Sequence, residues 1–193
     1  TSSTPSGLTY SPGQSTLLSA FNSTYGWQTA GNASGSTYEL YTSNTFTGDH
    51  LFECTVLFAN GCSDPAIAIW SSGTPSWSWG TNSSRISLQQ NCTGPVLYGT
   101  SQSSSASGST PTSSSNPITL HLHHQPSLSR TRAWVTTNAD DWGNESSNRV
   151  GNIMSVTNNY GSNAVYCGLS SDYDSASLGL YSTNFTKWRI TPG

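Results

Sequence analysis

The sequence has 193 residues, a formal net charge of −3 and only 8% charged residues. A chain with so few charges and no basic excess lacks the positive stripe on which nucleic-acid binding depends. We therefore expect no binding to nucleic acid. No run approaches the roughly 18 apolar residues of a membrane helix, so we also expect no insertion into a membrane. The 7 Trp, 9 Tyr and 5 Phe residues indicate instead a folded, β-rich domain of ordinary size.

Residues 6–18, SGLTYSPGQSTLL, predict a strand, a tight turn and a second strand. Leu8 and Tyr10 alternate with polar residues, which gives this first strand one apolar face. Pro12 and Gly13 suit the second and third turn positions, because proline fixes φ and glycine accepts a positive φ. An isolated hairpin is marginally stable in water, so we expect something beyond this chain to complete it.

Short strand-like stretches separated by Gly, Asn, Ser and Pro recur along the rest of the chain, and no window carries a helical period. The pattern predicts an all-β fold, an antiparallel β-sandwich. It forms a single globular domain over 19–193, preceded by the β-turn-β segment 1–18. The serine-rich residues 99–116 are expected to be a flexible loop within that domain. The predicted strands are 37–41, 50–59, 66–70, 85–90, 95–99, 118–124, 132–137, 152–157, 164–169, 178–182 and 185–190.

Three pairs of side chains spaced two residues apart are candidate site residues, because alternate residues of an extended segment share a face. They are Trp77 and Trp79, His121 and His123, and Arg130 and Arg132. The two indoles form either an exposed binding platform or part of the core, and the core is the better interpretation. The two histidines are weak candidates for binding zinc or copper, since no third ligand is evident, and a polar strand face is the alternative. The two arginines either bind a carboxylate such as that of sialic acid or solubilise their strand.

An acidic and aromatic cluster lies in the segment NADDWGNE, residues 138–145. Asp140 and Asp141 precede Trp142, so the segment offers carboxylates for sugar hydroxyls and a ring for the apolar face of a sugar. The same acids could bind calcium, but their spacing lacks the order of a calcium loop. The alternative is a polar hairpin tip with one structural tryptophan.

Catalysis has little support in the sequence. A nucleophile elbow requires G-x-S-x-G, and no such run is present. A glycosidase needs two carboxylates, for instance Glu39 with Glu53, but nothing in the pattern selects that pair. We therefore expect a non-catalytic protein with no cofactor and no bound metal.

Cysteines and glycosylation sequons leave the cellular compartment open. The four cysteines could form two disulfides, with Cys54 and Cys62 closing a short loop, or Cys54, Cys62, Cys92 and Cys167 could all be free thiols. The six sequons are close to the roughly five that chance predicts for this composition, so they do not establish a secretory route. They begin at Asn22, Asn32, Asn82, Asn91, Asn144 and Asn184.

The segment SGLTYSPGQSTLL resembles the last β-turn-β repeat of an adenovirus fibre shaft, through the alternation of Leu8 and Tyr10, the Pro12-Gly13 corner and the apolar Leu17-Leu18 return. The weakly charged, Ser/Thr/Asn-rich remainder is similar in composition and strand number to a fibre head of the avian type. The resemblance implies a homotrimeric β-sandwich head whose loops bind a host-cell receptor, either a glycan or a protein. It also implies that neighbouring chains complete the hairpin, that the cysteines are free and that the sequons are incidental.

The leading hypothesis is therefore a non-catalytic viral attachment domain on the virion surface. The first alternative is a secreted, extracellular lectin or adhesin that binds glycans and carries N-glycans and disulfides. The second alternative is a secreted carbohydrate-active enzyme. The candidate contact residues are the paired indoles, the paired arginines and the three residues of the acidic cluster.

Overall fold

The computed structural model describes residues 8–10, 18–22, 26–30, 38–42, 44–60, 65–71, 83–88, 94–99, 103–105, 117–157, 164–171 and 182–193. Within these ranges the chain forms fourteen strands and one short 3-10 helix, Pro126–Leu128. The strands are β1 Leu8–Tyr10, β2 Leu18–Asn22, β3 Gly26–Ala30, β4 Tyr38–Thr42, β5 His50–Asn60, β6 Pro65–Trp70, β7 Ser83–Leu88, β8 Pro95–Tyr98, β9 Ser103–Ser105, β10 Ile118–Gln125, β11 Arg130–Thr136, β12 Met154–Thr157, β13 Tyr166–Ser171 and β14 Ser182–Pro192.

The strands make two seven-stranded sheets. The first sheet has the order β1-β4-β13-β6-β7-β8-β9, and the second has the order β12-β11-β10-β5-β14-β3-β2. Neighbouring strands are antiparallel in both sheets. The predicted fold class, an all-β antiparallel sandwich, is therefore confirmed. No helix among the described residues is long and apolar enough to cross a membrane.

The hydrophobic core lies between the two sheets, and alternation along the central strands builds it. Its buried apolar residues on β5, β6, β10 and β13 are Phe52, Cys54, Val56, Ile67, Ile69, Ile118, Leu120, Leu122, Cys167 and Leu169. Polar residues between them on β5 and β10 face away from the core. Glu53, Thr55, Thr119 and His121 occupy that outer face of the second sheet, yet they are buried as well.

Of the β-turn-β unit predicted within residues 6–18, Leu8–Tyr10 do form a strand and the turn at Pro12 and Gly13 lies outside the described residues, but a hairpin pairing between the two arms is wrong at the residues described. Leu8 pairs with Thr42 in the first sheet, and Leu18 pairs with Thr29 in the second. The two arms are therefore edge strands of opposite sheets. A seven-residue connection can span roughly 23 Å, well beyond the about 10 Å between packed sheets, so turn-forming residues do not oblige the arms to pair. The division of the chain at residue 18 stays a prediction, because 1–7 and 11–17 lie outside the described residues.

The serine-rich segment 99–116 also differs in part from the expectation of a flexible loop. Ser103–Ser105 form β9, which pairs with β8 through Val96 and Ser105 at one end and Tyr98 and Ser103 at the other. An edge strand needs backbone hydrogen bonds more than apolar side chains, and serine supplies these. Of the strand predicted at 178–182, only its last residue is described, and it begins β14.

The described cysteines are free thiols. Cys54 and Cys167 are both buried in the core and unpaired, so the alternative in which Cys54 and Cys62 form a disulfide is wrong for this structure. Burial raises the pKa of both thiols above the usual value. Cys62 and Cys92 lie outside the described residues.

Candidate functional site

The loop between β11 and β12, residues 137–149, covers the outer face of the second sheet, and we call it the strap. Backbone hydrogen bonds hold its two ends together. The amide of Thr137 donates to the carbonyl of Asn148 at 2.8 Å, and that of Val150 donates to the carbonyl of Val135 at 2.9 Å. The strap thus leaves β11, crosses the sheet and returns to the same strand.

Local chemistry gives the strap its bends. Asp140 and Gly143 have positive φ values of 55° and 69°, in the left-handed region that aspartate tolerates and glycine adopts freely. The side-chain oxygen of Asn144 accepts from the amides of Ser146 at 3.0 Å and Ser147 at 3.1 Å. Asparagine often closes a turn in this way, because its side chain mimics a backbone carbonyl.

Glu53 joins the strap to the sheet beneath it. Its Oε1 accepts from Nδ1 of His121 at 2.7 Å and from the amide of Gly143 at 2.6 Å. Its Oε2 accepts from Nε and Nη2 of Arg189 at 3.1 and 2.9 Å. The carboxylate therefore connects β5, β10, β14 and the strap.

These donors also decide the ionisation of Glu53. Burial alone would raise its pKa, but the hydrogen bonds from His121, Gly143 and Arg189 and the nearby charge outweigh burial and lower the pKa below the ordinary value. A buried carboxylate with donors on both oxygens stays ionised and holds its partners in fixed positions.

A second ion pair fixes the far end of the strap. Arg132 donates to both oxygens of Glu145, at 3.2 and 2.8 Å. Its guanidinium carbon lies 5.8 Å from the ring centre of Trp134. The indole of Trp134 is buried and donates to the carbonyl of Asn144 at 2.7 Å. Arg132 therefore binds a carboxylate, as its sequence suggested, but the carboxylate belongs to the chain itself.

Threonines and an ion pair anchor the first part of the strap. Thr119 donates to the carbonyl of Asn138 at 2.8 Å, and the amide of Asp140 donates to the hydroxyl of Thr55 at 3.1 Å. The carboxylate of Asp140 also pairs with the exposed Lys187 of β14. Asp140 is thus engaged by the sheet rather than left open to a ligand.

Trp142 and Asp141 lie at the partly exposed surface of the strap. The guanidinium carbon of Arg189 lies 5.3 Å from the centre of the Trp142 ring. Asp141 Oδ1 accepts from the side-chain amide of Asn144 at 2.8 Å, whereas its Oδ2, shielded from solvent, has no hydrogen-bond partner among the described residues. The strap therefore carries a partly exposed indole, and the residue before it has a carboxylate oxygen that is unpaired and shielded from solvent.

The buried polar residues include one arrangement with the order of a hydrolase triad. Thr136 Oγ1 lies 2.9 Å from Nε2 of His121, and Nδ1 of the same ring bonds Glu53. A hydroxyl, an imidazole and a carboxylate in this sequence can activate a nucleophile. Here all three are fully buried beneath the strap, so a substrate has no access and the arrangement serves to hold the sheet and the strap together.

The paired histidines do not form a metal site. His121 is committed to Glu53 and Thr136, and its ring stacks on Trp134 with 4.8 Å between centres. His123 is half-buried, and burial foremost, with the charge of Arg132, lowers its pKa. No group of three His, Cys, Asp or Glu in the described part of the chain is arranged to hold a metal ion.

The structure therefore brings together five of the predicted site residues. His121, Arg132, Asp140, Asp141 and Trp142 all lie on or beneath the strap.

Other predicted site residues are placed elsewhere. Arg130 bonds Gln125 at 2.9 Å instead, although it alternates with Arg132 on one strand face as expected. Trp77 and Trp79 lie outside the described residues.

Sequence reasoning missed Arg189 and Trp134, and it considered Glu53 only as a glycosidase acid. The residues around Glu53 are far apart in the chain, so no short motif contains them. One signal was available: alternation in FTKWRI puts Lys187 and Arg189 on one face of their strand, opposite Trp188.

Comparisons with known proteins place the sandwich among legume lectin-like folds. A legume lectin-like domain from Entamoeba histolytica has a TM-score of 0.63 at 8% identity, covering 97% of this chain and 90% of that one. Lectin I from Ulex europaeus, in complex with a methyl glycoside of α-L-fucose, has a TM-score of 0.61 at 9% identity, with 95% and 91% covered. The Crh5 transglycosylase has a TM-score of 0.64 at 12% identity, with 100% and 81% covered. No protein-family model and no curated protein matches the sequence.

Proposed function

We propose that this chain is a non-catalytic glycan-binding module, a secreted lectin or adhesin. Trp142 and Asp141 are the residues that contact the sugar. The similarity to lectin sandwiches over nearly the whole chain supports the general function. The observation that carries the choice of site is the partly exposed indole of Trp142, which directly follows a residue whose carboxylate oxygen lacks a donor.

The chemistry of the two residues suits a carbohydrate. A sugar ring presents C–H groups on one face and hydroxyls at its edge, so it packs on an indole while its hydroxyls donate to a carboxylate. Arg189 covers one face of Trp142, and the sugar would use the opposite face. Asp141 Oδ2 is unpaired and shielded from solvent in the folded chain, so a sugar hydroxyl would reach it once the Asp141 side chain turns toward the surface, and would then supply the missing donor.

Binding without turnover agrees with how the other carboxylates on and beneath the strap are used. Glycosidases need two carboxyl groups free to act on one sugar linkage. Glu53 accepts from three residues, Glu145 pairs with Arg132 and Asp140 pairs with Lys187. Only Asp141 keeps an unengaged oxygen within the strap.

The expected homotrimer on a virion surface remains a prediction. The trimer was expected because an isolated N-terminal hairpin would need neighbouring chains to complete it. In the structure, β1 and β2 instead pair with β4 and β3 of the same chain. We therefore favour the lectin or adhesin over the viral attachment domain. The native mass of the purified protein distinguishes a trimer from a monomer.

A glycan array with four proteins tests the proposal. We expect the wild type to bind at least one glycan, and Trp142→Ala and Asp141→Asn to weaken that binding at least tenfold. Asp49→Asn is the matched control, because Asp49 bonds Ser127 away from the strap. Absence of binding by the wild type, unchanged binding by both strap variants, or turnover of the bound glycan would each overturn the proposal.

A further inference from the structure

We infer that buried Glu53 is a positioning residue for the glycan site: it holds the Trp142 indole in its binding orientation through Arg189 and Gly143. The inference rests on the proposed function, because it concerns the same indole. It gives a binding role to a residue that is itself fully buried and never touches the ligand.

Two units of the same composition, each an arginine, a glutamate and a tryptophan, link the strap to the sheet beneath it, and they differ in one respect. Arg132 pairs with Glu145 and lies over Trp134, while Arg189 pairs with Glu53 and lies over Trp142. In the first unit the indole is buried and the glutamate is 41% exposed; in the second the glutamate is fully buried and the indole is partly exposed. In the second unit the partly exposed indole is therefore held from below by a buried, charged glutamate.

Glu53 reaches Trp142 by two routes. One carboxylate oxygen accepts from the amide of Gly143, the residue that follows Trp142, at 2.6 Å. The other accepts from both Nε and Nη2 of Arg189, whose planar group lies 5.3 Å from the centre of the indole ring. The first route fixes the backbone beside the indole, and the second fixes the group that lies over one of its faces.

The buried environment makes Glu53 effective in this role. His121 donates to the same oxygen as Gly143 and stacks on Trp134, so the carboxylate cannot rotate without losing several hydrogen bonds. A contact residue whose orientation is set before binding loses less conformational freedom when the ligand arrives, and affinity rises accordingly. Loosening Glu53 should thus weaken binding even though every ligand contact remains in the sequence.

The first measurement is the accessibility of the Trp142 indole to the fluorescence quencher acrylamide. Because the chain has 7 Trp residues, each protein is compared with a version that also carries Trp142→Phe, and the difference in quenching between the two is the contribution of Trp142. We expect Glu53→Gln and Arg189→Lys to increase Trp142 quenching at least twofold. Arg132→Lys is the matched control: it perturbs the other arginine unit, and Trp142 quenching should stay at the wild-type value. If Glu53→Gln fails to fold, Arg189→Lys alone decides, since it keeps the charge near Glu53 and removes the planar group from the indole.

The second measurement is affinity for the glycan that the array identifies. We expect Glu53→Gln and Arg189→Lys to bind about tenfold more weakly. Unchanged Trp142 quenching in the folded variants, or increased quenching with unchanged affinity, overturns the inference. If the wild type binds no glycan but the variants still expose Trp142, the proposed function fails while the positioning of the indole by Glu53 stands.

Discussion

His121 donates through Nδ1 to Oε1 of Glu53 at 2.7 Å, and neither side chain is exposed to solvent. The histidine ring also lies nearly parallel to Trp134, at an interplanar angle of 8°. One hydrogen bond thus joins the two central strands of the second sheet, and the stack joins the next strand. The pair forms the floor on which the strap rests.

His121→Phe should destabilise the protein while keeping a ring against Trp134. The substitution removes the donor to Glu53 and the ring nitrogen that bonds the Thr136 hydroxyl, and it leaves a buried carboxylate with one partner fewer, which costs about 2 kcal/mol. Chemical denaturation at neutral pH measures the change in the free energy of unfolding. A loss below about 0.5 kcal/mol, the scale of ordinary surface substitutions, would show that the hydrogen bond contributes little.

Stability should fall on mild acidification because His124 is buried in its neutral form. Burial, reinforced by His50 and His123, lowers its pKa from 6.5 to about 4, against the attraction of Asp49. The unfolded chain binds a proton near pH 6.5 and the folded chain only near 4, so stability is lost as the pH falls between these values. The loss approaches about 3 kcal/mol.

Unfolding free energies measured from pH 7.5 to 4.5 test this expectation, with His124→Gln as the comparison. The variant should lose less stability over that range than the wild type. Glu53 adds a further loss at lower pH, because its lowered pKa makes the unfolded chain bind the proton first, below about 4.5. Identical acid slopes in wild type and variant would contradict the role of His124.

The strap should depend on Asn144, whose amide nitrogen donates to Asp141 at 2.8 Å and to Ser147 at 2.6 Å. Asn144→Asp keeps the acceptor but removes both donors and adds a charge beside Asp141, so we expect a loss of about 1–2 kcal/mol. Hydrogen exchange of the strap amides should accelerate at the same time. Asn152→Asp, at an exposed site with a long 3.4 Å contact, is the matched control and should change neither quantity.

The same contacts bear on the sequon at Asn144. N-glycosylation replaces one hydrogen of the amide nitrogen, and both are in use. Mass spectrometry of protein secreted by a eukaryotic host should therefore find folded material unmodified at this position. A fully occupied Asn144 in protein with slow strap exchange would contradict this expectation.

Local patterns predicted the central strands well. Expected strands at 50–59 and 118–124 correspond to His50–Asn60 and Ile118–Gln125, because a run of strand-forming residues bounded by turn residues is visible within one short stretch of sequence. The N-terminal hairpin failed for the opposite reason: turn residues predict a change of direction but not the sheet that each arm joins. That choice depends on partners far away, as in the pairing of Leu8 with Thr42.

The candidate site was likewise predictable only where its residues are close together in the sequence. Asp140, Asp141 and Trp142 were identified because they are consecutive in the chain. The residues that hold them in place were not identified, because these are far apart in the chain: Glu53 lies 136 residues from Arg189 and 68 residues from His121. Only the register of the second sheet brings such residues together, and a single sequence does not encode that register in any short stretch.

Cys54 and Cys167 should react with alkylating agents only after unfolding. Both are free, buried in the core and of raised pKa, so neither offers an accessible thiolate at pH 8. Native alkylation followed by peptide mapping should find both unmodified, and alkylation in denaturant without reductant should modify both. The second condition is decisive, because a thiol held in a disulfide would stay unmodified there until a reductant is added.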